Sequence, residues 1–141
     1  MKPELAALAR HRMAQAHETL AEADQLLASQ AFRGSVNRLY YATFYAARAL
    51  LATRDIDAAR HSGLITLFQQ HFVKTGLVPA ETGKVFARAF EKRQNSDYGD
   101  FAVIDPADAQ DLIPERASAN SVFRILDRSR TYTNPPAKFW S

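Results

Sequence analysis

The sequence contains no cysteine among its 141 residues, which excludes disulfides, thiolate zinc sites, iron–sulfur clusters and a cysteine nucleophile. It also has no apolar run that approaches the length of a transmembrane helix, and its N-terminus lacks the apolar core of a signal peptide. Together these features predict a cytoplasmic protein that makes no membrane contact. The net charge of +3 is only mildly basic, so charge alone does not indicate a nucleic-acid partner.

Several motifs of familiar chemistry are also missing. The chain has no Gly-rich phosphate loop, no His-Glu-x-x-His sequence and no Gly-x-Ser-x-Gly elbow. His11 and His17 are six residues apart and do not share a helix face, so they do not form a metal site. Carboxylates are scattered or adjacent to cations, which argues against paired-carboxylate hydrolysis. We therefore expect no metal and no cofactor.

Helical periodicity is the dominant pattern, and no strand pattern or internal repeat is present. It predicts an all-α fold, an up-and-down bundle of about five helices. We expect a single domain over residues 1–133 and a flexible or partner-docked tail over residues 134–141, where two prolines prevent a helix. The predicted helices cover residues 4–30, 32–54, 62–74, 79–95 and 106–132, with a kink or restart at Pro114.

The first predicted helix has a stripe of apolar residues at mostly three- and four-residue steps, which we expect to face the core. These are Leu5, Leu8, Met13, Ala16, Leu20, Ala23 and Leu27.

The second predicted helix carries two stripes. One is ordinary core and consists of Val36, Tyr40, Phe44, Ala47 and Leu51. The other is rich in arginine and tyrosine, and we call it the Arg/Tyr stripe. It can be ordinary packing with polar tips at the surface, or the wall of a cleft or a self-association face. The Arg/Tyr stripe consists of Asn37, Arg38, Tyr41, Tyr45 and Arg48.

The fourth predicted helix leads into the most polar stretch of the chain. Lys84, Arg88 and Lys92 repeat every four residues along one face, which is either a solvated surface or a phosphate-binding track. Arg93 and Asp97 follow at a spacing of four, next to Tyr98. They are either a surface ion pair or an arginine oriented by a carboxylate for phosphate binding, beside a phenol that can donate or accept a hydrogen bond.

Three blocks of the sequence, in order over roughly residues 5–130, resemble HEPN-domain proteins of the small stand-alone type. The first is Asn37-Arg-Leu-Tyr-Tyr-Ala-Thr-Phe-Tyr-Ala-Ala-Arg-Ala-Leu-Leu51. The second is His61-Ser-Gly-Leu-Ile-Thr-Leu-Phe, followed by His71-Phe-Val-Lys-Thr-Gly76. The third is Arg93-Gln-Asn-Ser-Asp-Tyr-Gly-Asp100.

This resemblance implies a HEPN-like bundle that forms a homodimer or higher oligomer with a cleft between protomers. Many family members are metal-independent ribonucleases that use an arginine, a following polar residue and a histidine about five residues after the arginine. Arg93 matches the motif arginine and Gln94 the polar residue, but Tyr98 stands at the histidine position. A phenol is a poor base at neutral pH, since its ordinary pKa is about 10.

His61 could supply the missing imidazole from another helix, because a position at a helix N-terminus disfavours the charged form. Two classes therefore stay open. The first is a toxin-like protein, paired with a nucleotidyltransferase antitoxin, that binds or cleaves RNA with Arg93, Tyr98, Asp97 and His61. The second is a non-catalytic module that binds nucleotide or presents Tyr98 to a nucleotidyltransferase. Residues expected to bind RNA or nucleotide are Asn37, Arg38, Tyr41, Arg88 and Lys92.

Overall fold

The computed structural model describes residues 3–57, 61–98 and 112–128, and within these ranges the chain is helical and contains no strand. A π-helical turn, Gln69–Val73, directly continues the third helix. The prediction of an all-α bundle with about five helices is confirmed. In chain order the helices are α1 (Pro3–Ala28), α2 (Phe32–Ala52), α3 (His61–Phe68), α4 (Ala80–Tyr98) and α5 (Leu112–Arg128).

Helices α1 and α2 form an antiparallel hairpin with unusually small residues at its interface. The turn passes through Gln30, whose φ of 62° lies in the left-handed region, and the Ser35 hydroxyl donates to the Ala23 carbonyl across the helices at 2.9 Å. The predicted core stripe of α1 is partly wrong, because Leu27 is 37% exposed and Leu5, Leu8 and Leu20 are only partly buried. The other three predicted residues, Met13, Ala16 and Ala23, are buried, and so are Ala6 and Ala9, which the predicted stripe did not include.

Helix α2 lies at the centre of the core. Four of the five residues predicted for its core stripe are buried, and Val36 is only partly buried. Aromatic rings from α2, the α3 region and α4 meet here: Tyr40 lies 6.3 Å from Phe86 between ring centroids, and Phe86 meets Phe68 edge-on at 5.4 Å. Such tilted and edge-on pairs are favoured by the ring quadrupoles and add to the apolar burial.

Helix α5 packs against α2 and α4, and side-chain ion pairs join it to α1, to which it runs antiparallel. The guanidinium of Arg116 makes a two-pronged ion pair with Asp24, with N–O distances of 3.0 and 3.1 Å, and further along α5 the Asp127 carboxylate meets His17 at 3.3 Å. Pro114 lies in the first turn of α5, where proline is tolerated, which agrees with a helix restart, one of the two outcomes predicted for this proline. The predicted helix start at residue 106 and the tail over residues 134–141 lie outside the described residues.

The α3 region ends in a π turn rather than in the plain helix that we predicted. The widened turn brings Gln69 against α4, where its side-chain amide donates to the Gly83 carbonyl at 3.0 Å. Gly83 has no room for a side chain, because a Cβ there would lie 2.9 Å from both Gln69 Oε1 and Val73 Cγ2. Gly76 then closes the region at a φ of 81°, a left-handed conformation that is common for glycine after a helix. The Gln69–Gly83 contact joins the first turns of α4 to the π turn, and α4 also packs on α2 and α5.

Substitution of Gly83 by alanine is expected to lower the free energy of unfolding by about 1 kcal/mol. The cost of overpacking, about 1–3 kcal/mol, outweighs the gain in helix propensity, about 1 kcal/mol. Gly63 in α3 is the matched control, because a Cβ there meets nothing within 4 Å and Gly63→Ala should be neutral or stabilising. Urea denaturation followed by circular dichroism measures both variants, and equal stability for the two would contradict this account of the α3–α4 contact.

No helix in the described part of the chain combines the length and the apolar character needed to cross a membrane.

Candidate functional site

The C-terminal half of α4 carries the predicted site residues that lie closest together in the sequence, Lys92, Arg93, Asp97 and Tyr98. The helix continues to Tyr98, three residues beyond its predicted end, so Arg93, Asp97 and Tyr98 are all helical. Residues four apart lie one above the other on a helix, and the backbone therefore places Arg93 and Asp97 on one face. The side chains of these residues, and those of Lys92 and His61, lie outside what the structure describes. His61 is the first residue of α3.

The cationic row on α4 is a solvated surface where the structure describes it. Lys84 and Arg88 are exposed, and Arg88 meets Glu81 at 3.5 Å with both side chains mostly in solvent. A pair of this kind contributes little to stability because water screens it. The row leaves the guanidinium of Arg88 accessible to a phosphate.

The Arg/Tyr stripe of α2 is half-buried at every position. Arg38 is the most constrained of its polar members: the Nε and Nη2 groups donate to Asn37 Oδ1 at 3.2 and 2.8 Å, and Nη1 lies 3.6 Å from Glu22 of α1. Its guanidinium carbon also lies 5.4 Å from the centroid of the Tyr41 ring. These contacts orient the guanidinium before any ligand arrives, which lowers the entropic cost of binding a phosphate or carboxylate.

Tyr41 and Tyr45 form the middle of the stripe. Their rings are stacked with centroids 5.9 Å apart and planes 28° apart, and each meets Phe44 nearly edge-on. Both rings thus contact the core through Phe44 and remain partly accessible to solvent. Both expected roles for the stripe, packing and recognition, are compatible with this half-burial.

Sequence reasoning missed a charged cluster at the other end of the stripe. Arg12 of α1 is only 6% exposed, yet its Nη2 group binds Asp57 Oδ1 at 3.0 Å, and Arg48 Nη2 reaches the same oxygen at 3.2 Å. Asp57 lies in the connection after α2. Nothing in the local pattern around Arg12 indicates a partner so distant in the chain.

The cluster shifts the pKa values of its members. Burial lowers the pKa of Arg12, and repulsion from Arg48 lowers it further, against the hydrogen bond and the charge of Asp57. Partial burial by itself would raise the pKa of Asp57, but hydrogen bonds from Arg12 and Arg48 outweigh it and hold that pKa below its ordinary value. The carboxylate is thus charged at neutral pH and is the only counter-charge that the described residues bring to the two guanidinium groups.

A small crevice between α2, α4 and α5 is too narrow to be a nucleotide site. Its walls include the hydroxyl-bearing residues Thr43, Thr82 and Ser118. The space inside is about 10 Å³, close to the minimum for one water molecule. In the described part of the chain no group of three or more His, Asp or Glu residues could hold a metal ion.

Comparison with known proteins agrees with the fold and the motif blocks. The family model of the HEPN domain matches residues 9–126, so the chain belongs to the HEPN family. A UPF0332 protein of Thermotoga maritima is 40% identical over 98 residues, which are 70% of this chain and 74% of that protein. The protein named "Putative toxin MJ0142" of Methanocaldococcus jannaschii is 32% identical over 98 residues, 70% of this chain and 67% of that protein.

Proposed function

We propose that this chain is a toxin-like HEPN protein that acts on RNA, with Arg93 contacting a phosphate. The observation that carries the proposal is the continuation of α4 to Tyr98, which places Arg93 and Asp97 one turn apart on a single helix face. An arginine oriented by a carboxylate suits phosphate recognition because its planar fork matches two phosphate oxygens. The toxin name of the M. jannaschii relative supports the same class.

The proposed reaction is attack by a ribose 2′-hydroxyl on the adjacent phosphate. The O2′–P bond forms and the P–O5′ bond breaks, leaving a 2′,3′-cyclic phosphate and a 5′-hydroxyl. A base removes the proton of the 2′-hydroxyl, and the leaving O5′ gains a proton. Arg93 would stabilise the charge that develops on the phosphate. His61, at the start of α3, is the candidate base, since a phenol such as that of Tyr98 is a poor one at neutral pH.

A second candidate function follows from Tyr98 at the motif histidine position. As a non-catalytic HEPN module, the chain would bind nucleotide or serve as the substrate of a partner nucleotidyltransferase, which would transfer a nucleotide to the Tyr98 hydroxyl. The phenol is then the nucleophile that attacks the α-phosphate, with pyrophosphate as the leaving group. Arg93, on the same helix α4, would hold the incoming phosphates.

Incubation of the purified protein with total RNA in a chelating buffer separates the two candidates. If the chain is a ribonuclease, RNA fragments with 2′,3′-cyclic phosphate ends are expected, and His61→Ala should produce fewer of them than the wild type. Intact RNA would contradict it. The second candidate predicts that a co-expressed nucleotidyltransferase labels the wild type and leaves Tyr98→Phe unlabelled. Absence of labelling on the wild type would contradict that alternative.

The proposal includes a homodimer in which the Arg/Tyr stripe borders a cleft between two copies of the Arg93 region. Half-exposed tyrosines and arginines are residues that interfaces favour. Tyr45→Glu would place a charge in this face, and the expected result is a shift in mass from twice 15.8 kDa to 15.8 kDa by light scattering at micromolar concentration. Tyr45→Phe keeps the ring and should stay dimeric. A wild type that is strictly monomeric would contradict the dimer.

A further inference from the structure

Two arginines from different helices converge on a single carboxylate oxygen at the end of α2. Arg12 Nη2 and Arg48 Nη2 lie 3.0 and 3.2 Å from Asp57 Oδ1, an arrangement that proteins also use to hold one oxygen of a phosphate group. The carboxylate itself sits in the connection after α2, and its side chain is 52% exposed. Because half of this side chain faces solvent, an anion in solution can compete with the carboxylate for the two arginines.

The cluster is short of negative charge and of hydrogen-bond acceptors. Two guanidinium groups share one carboxylate, and their mutual repulsion contributes to the lowered pKa of Arg12. Arg12 Nη1 and Arg48 Nε are buried and have no hydrogen-bond partner in the described part of the structure. A buried donor without an acceptor is costly. A phosphate, with more charge and more acceptor oxygens than a carboxylate, would satisfy this cluster better than Asp57 does.

The cluster also continues the Arg/Tyr stripe. Arg48 lies one helical turn beyond Tyr45, and Arg38 is earlier on the same helix, at a separation along the axis of about 15 Å. Two arginines at this separation can contact two phosphates of one nucleotide chain, and the half-buried rings of Tyr41 and Tyr45 lie between them along the helix.

We propose that Arg12 and Arg48 form a phosphate-binding site for a nucleotide chain, and that Asp57 occupies this site as an internal substitute for the phosphate. When the nucleic acid binds along α2, its phosphate displaces the Asp57 carboxylate from the two arginines. This inference rests on the proposed action on RNA and adds a second phosphate site, distinct from Arg93, together with a residue that restrains binding.

The test is the affinity of a fluorescent single-stranded RNA whose riboses are 2′-O-methylated, so that cleavage cannot occur. Asp57→Asn should bind it about three to ten times more tightly than the wild type, and inorganic phosphate should compete better against this variant. Asp55→Asn is the matched control: Asp55 is exposed and its φ of 61° suits asparagine, and it should change the affinity less than twofold. If both substitutions raise the RNA affinity equally, the change reflects only the loss of one negative charge, and the proposal is overturned.

A second variant keeps the test valid if Asp57→Asn folds poorly. Arg48→Gln leaves the Arg12–Asp57 pair in place and should weaken binding, lowering the slope of log K against log salt by about 0.7. Arg54→Gln removes a cation at the same end of α2 that stacks over Phe72 at 5.7 Å and should leave the slope unchanged. An unchanged slope for Arg48→Gln would overturn the proposal. The proposed function fails separately: RNA cleavage that does not depend on Arg93, or intact RNA, would contradict it without changing the binding comparison of the Asp57 and Arg48 variants.

Discussion

Replacement of Asp57 by asparagine is expected to lower the free energy of unfolding by about 2 kcal/mol. The substitution leaves Arg12, which is buried, beside Arg48 without a counter-charge. Breaking a fully buried pair costs about 3–5 kcal/mol and an exposed pair about 0–1 kcal/mol. A value between them applies because Arg12 is buried and Asp57 is half-exposed. Urea denaturation at pH 7 measures the change.

The same pair makes stability depend on pH at the acidic end. Because the pKa of Asp57 is lower in the folded state than in the unfolded chain, its contribution is fully present above the unfolded value of about 3.9. It is lost as pH falls through the folded-state value. The difference in stability between the wild type and Asp57→Asn should therefore shrink below about pH 4. Asp55→Asn should show neither effect, and a loss of stability in Asp57→Asn no larger than in this control would contradict the role of the pair.

Replacement of Arg93 by alanine is expected to lower the initial rate of RNA cleavage by about 100-fold or more. Removal of one donor that stabilises developing charge in a transition state typically costs about 10²–10³-fold. Arg93→Lys keeps the charge but lacks the planar fork that matches two phosphate oxygens, so it should recover only a small part of the rate. Rates are compared on one defined RNA in a chelating buffer.

Arg124→Ala is the control for this prediction, because Arg124 is an exposed arginine on α5 whose described hydrogen bond is to Ser121. It should cleave at the wild-type rate. If Arg93→Ala cleaves RNA at the wild-type rate, the activity belongs to a different site or to a contaminant, and the proposed chemistry is contradicted.

Periodicity alone was enough to locate the helices but not to choose which face of each is buried. In α1, leucines and alanines recur at similar spacing, and the sequence pattern favours the larger residues. In the structure Ala6 and Ala9 are buried while Leu27 is 37% exposed, because burial depends on where the neighbouring helices pack and not on side-chain size alone. The π turn after α3 likewise depends on its packing against Gly83, which no local pattern encodes.

The residues of the candidate site also differ in how far the sequence could predict them. Arg93, Asp97 and Tyr98 were identified from a contiguous stretch and from its resemblance to a family, and the helix that carries them runs three residues beyond its predicted end. Arg12 could not be found, since in the sequence it is one more polar residue on a helix. The charge of the buried Arg12 is balanced by the Asp57 carboxylate, which the fold brings from the connection after α2. A hydropathy pattern does not detect such a long-range interaction.

The most direct test of the central claim is the salt dependence of RNA binding by the wild type and Arg93→Ala. The 2′-O-methylated RNA serves here too, so the measurement holds whether or not the protein cleaves. If Arg93 binds a phosphate, the variant binds more weakly at every salt concentration, and its slope of log K against log salt falls by about 0.7 for each phosphate that the protein no longer neutralises. Identical affinities and slopes for the two proteins would contradict the placement of the site at the end of α4.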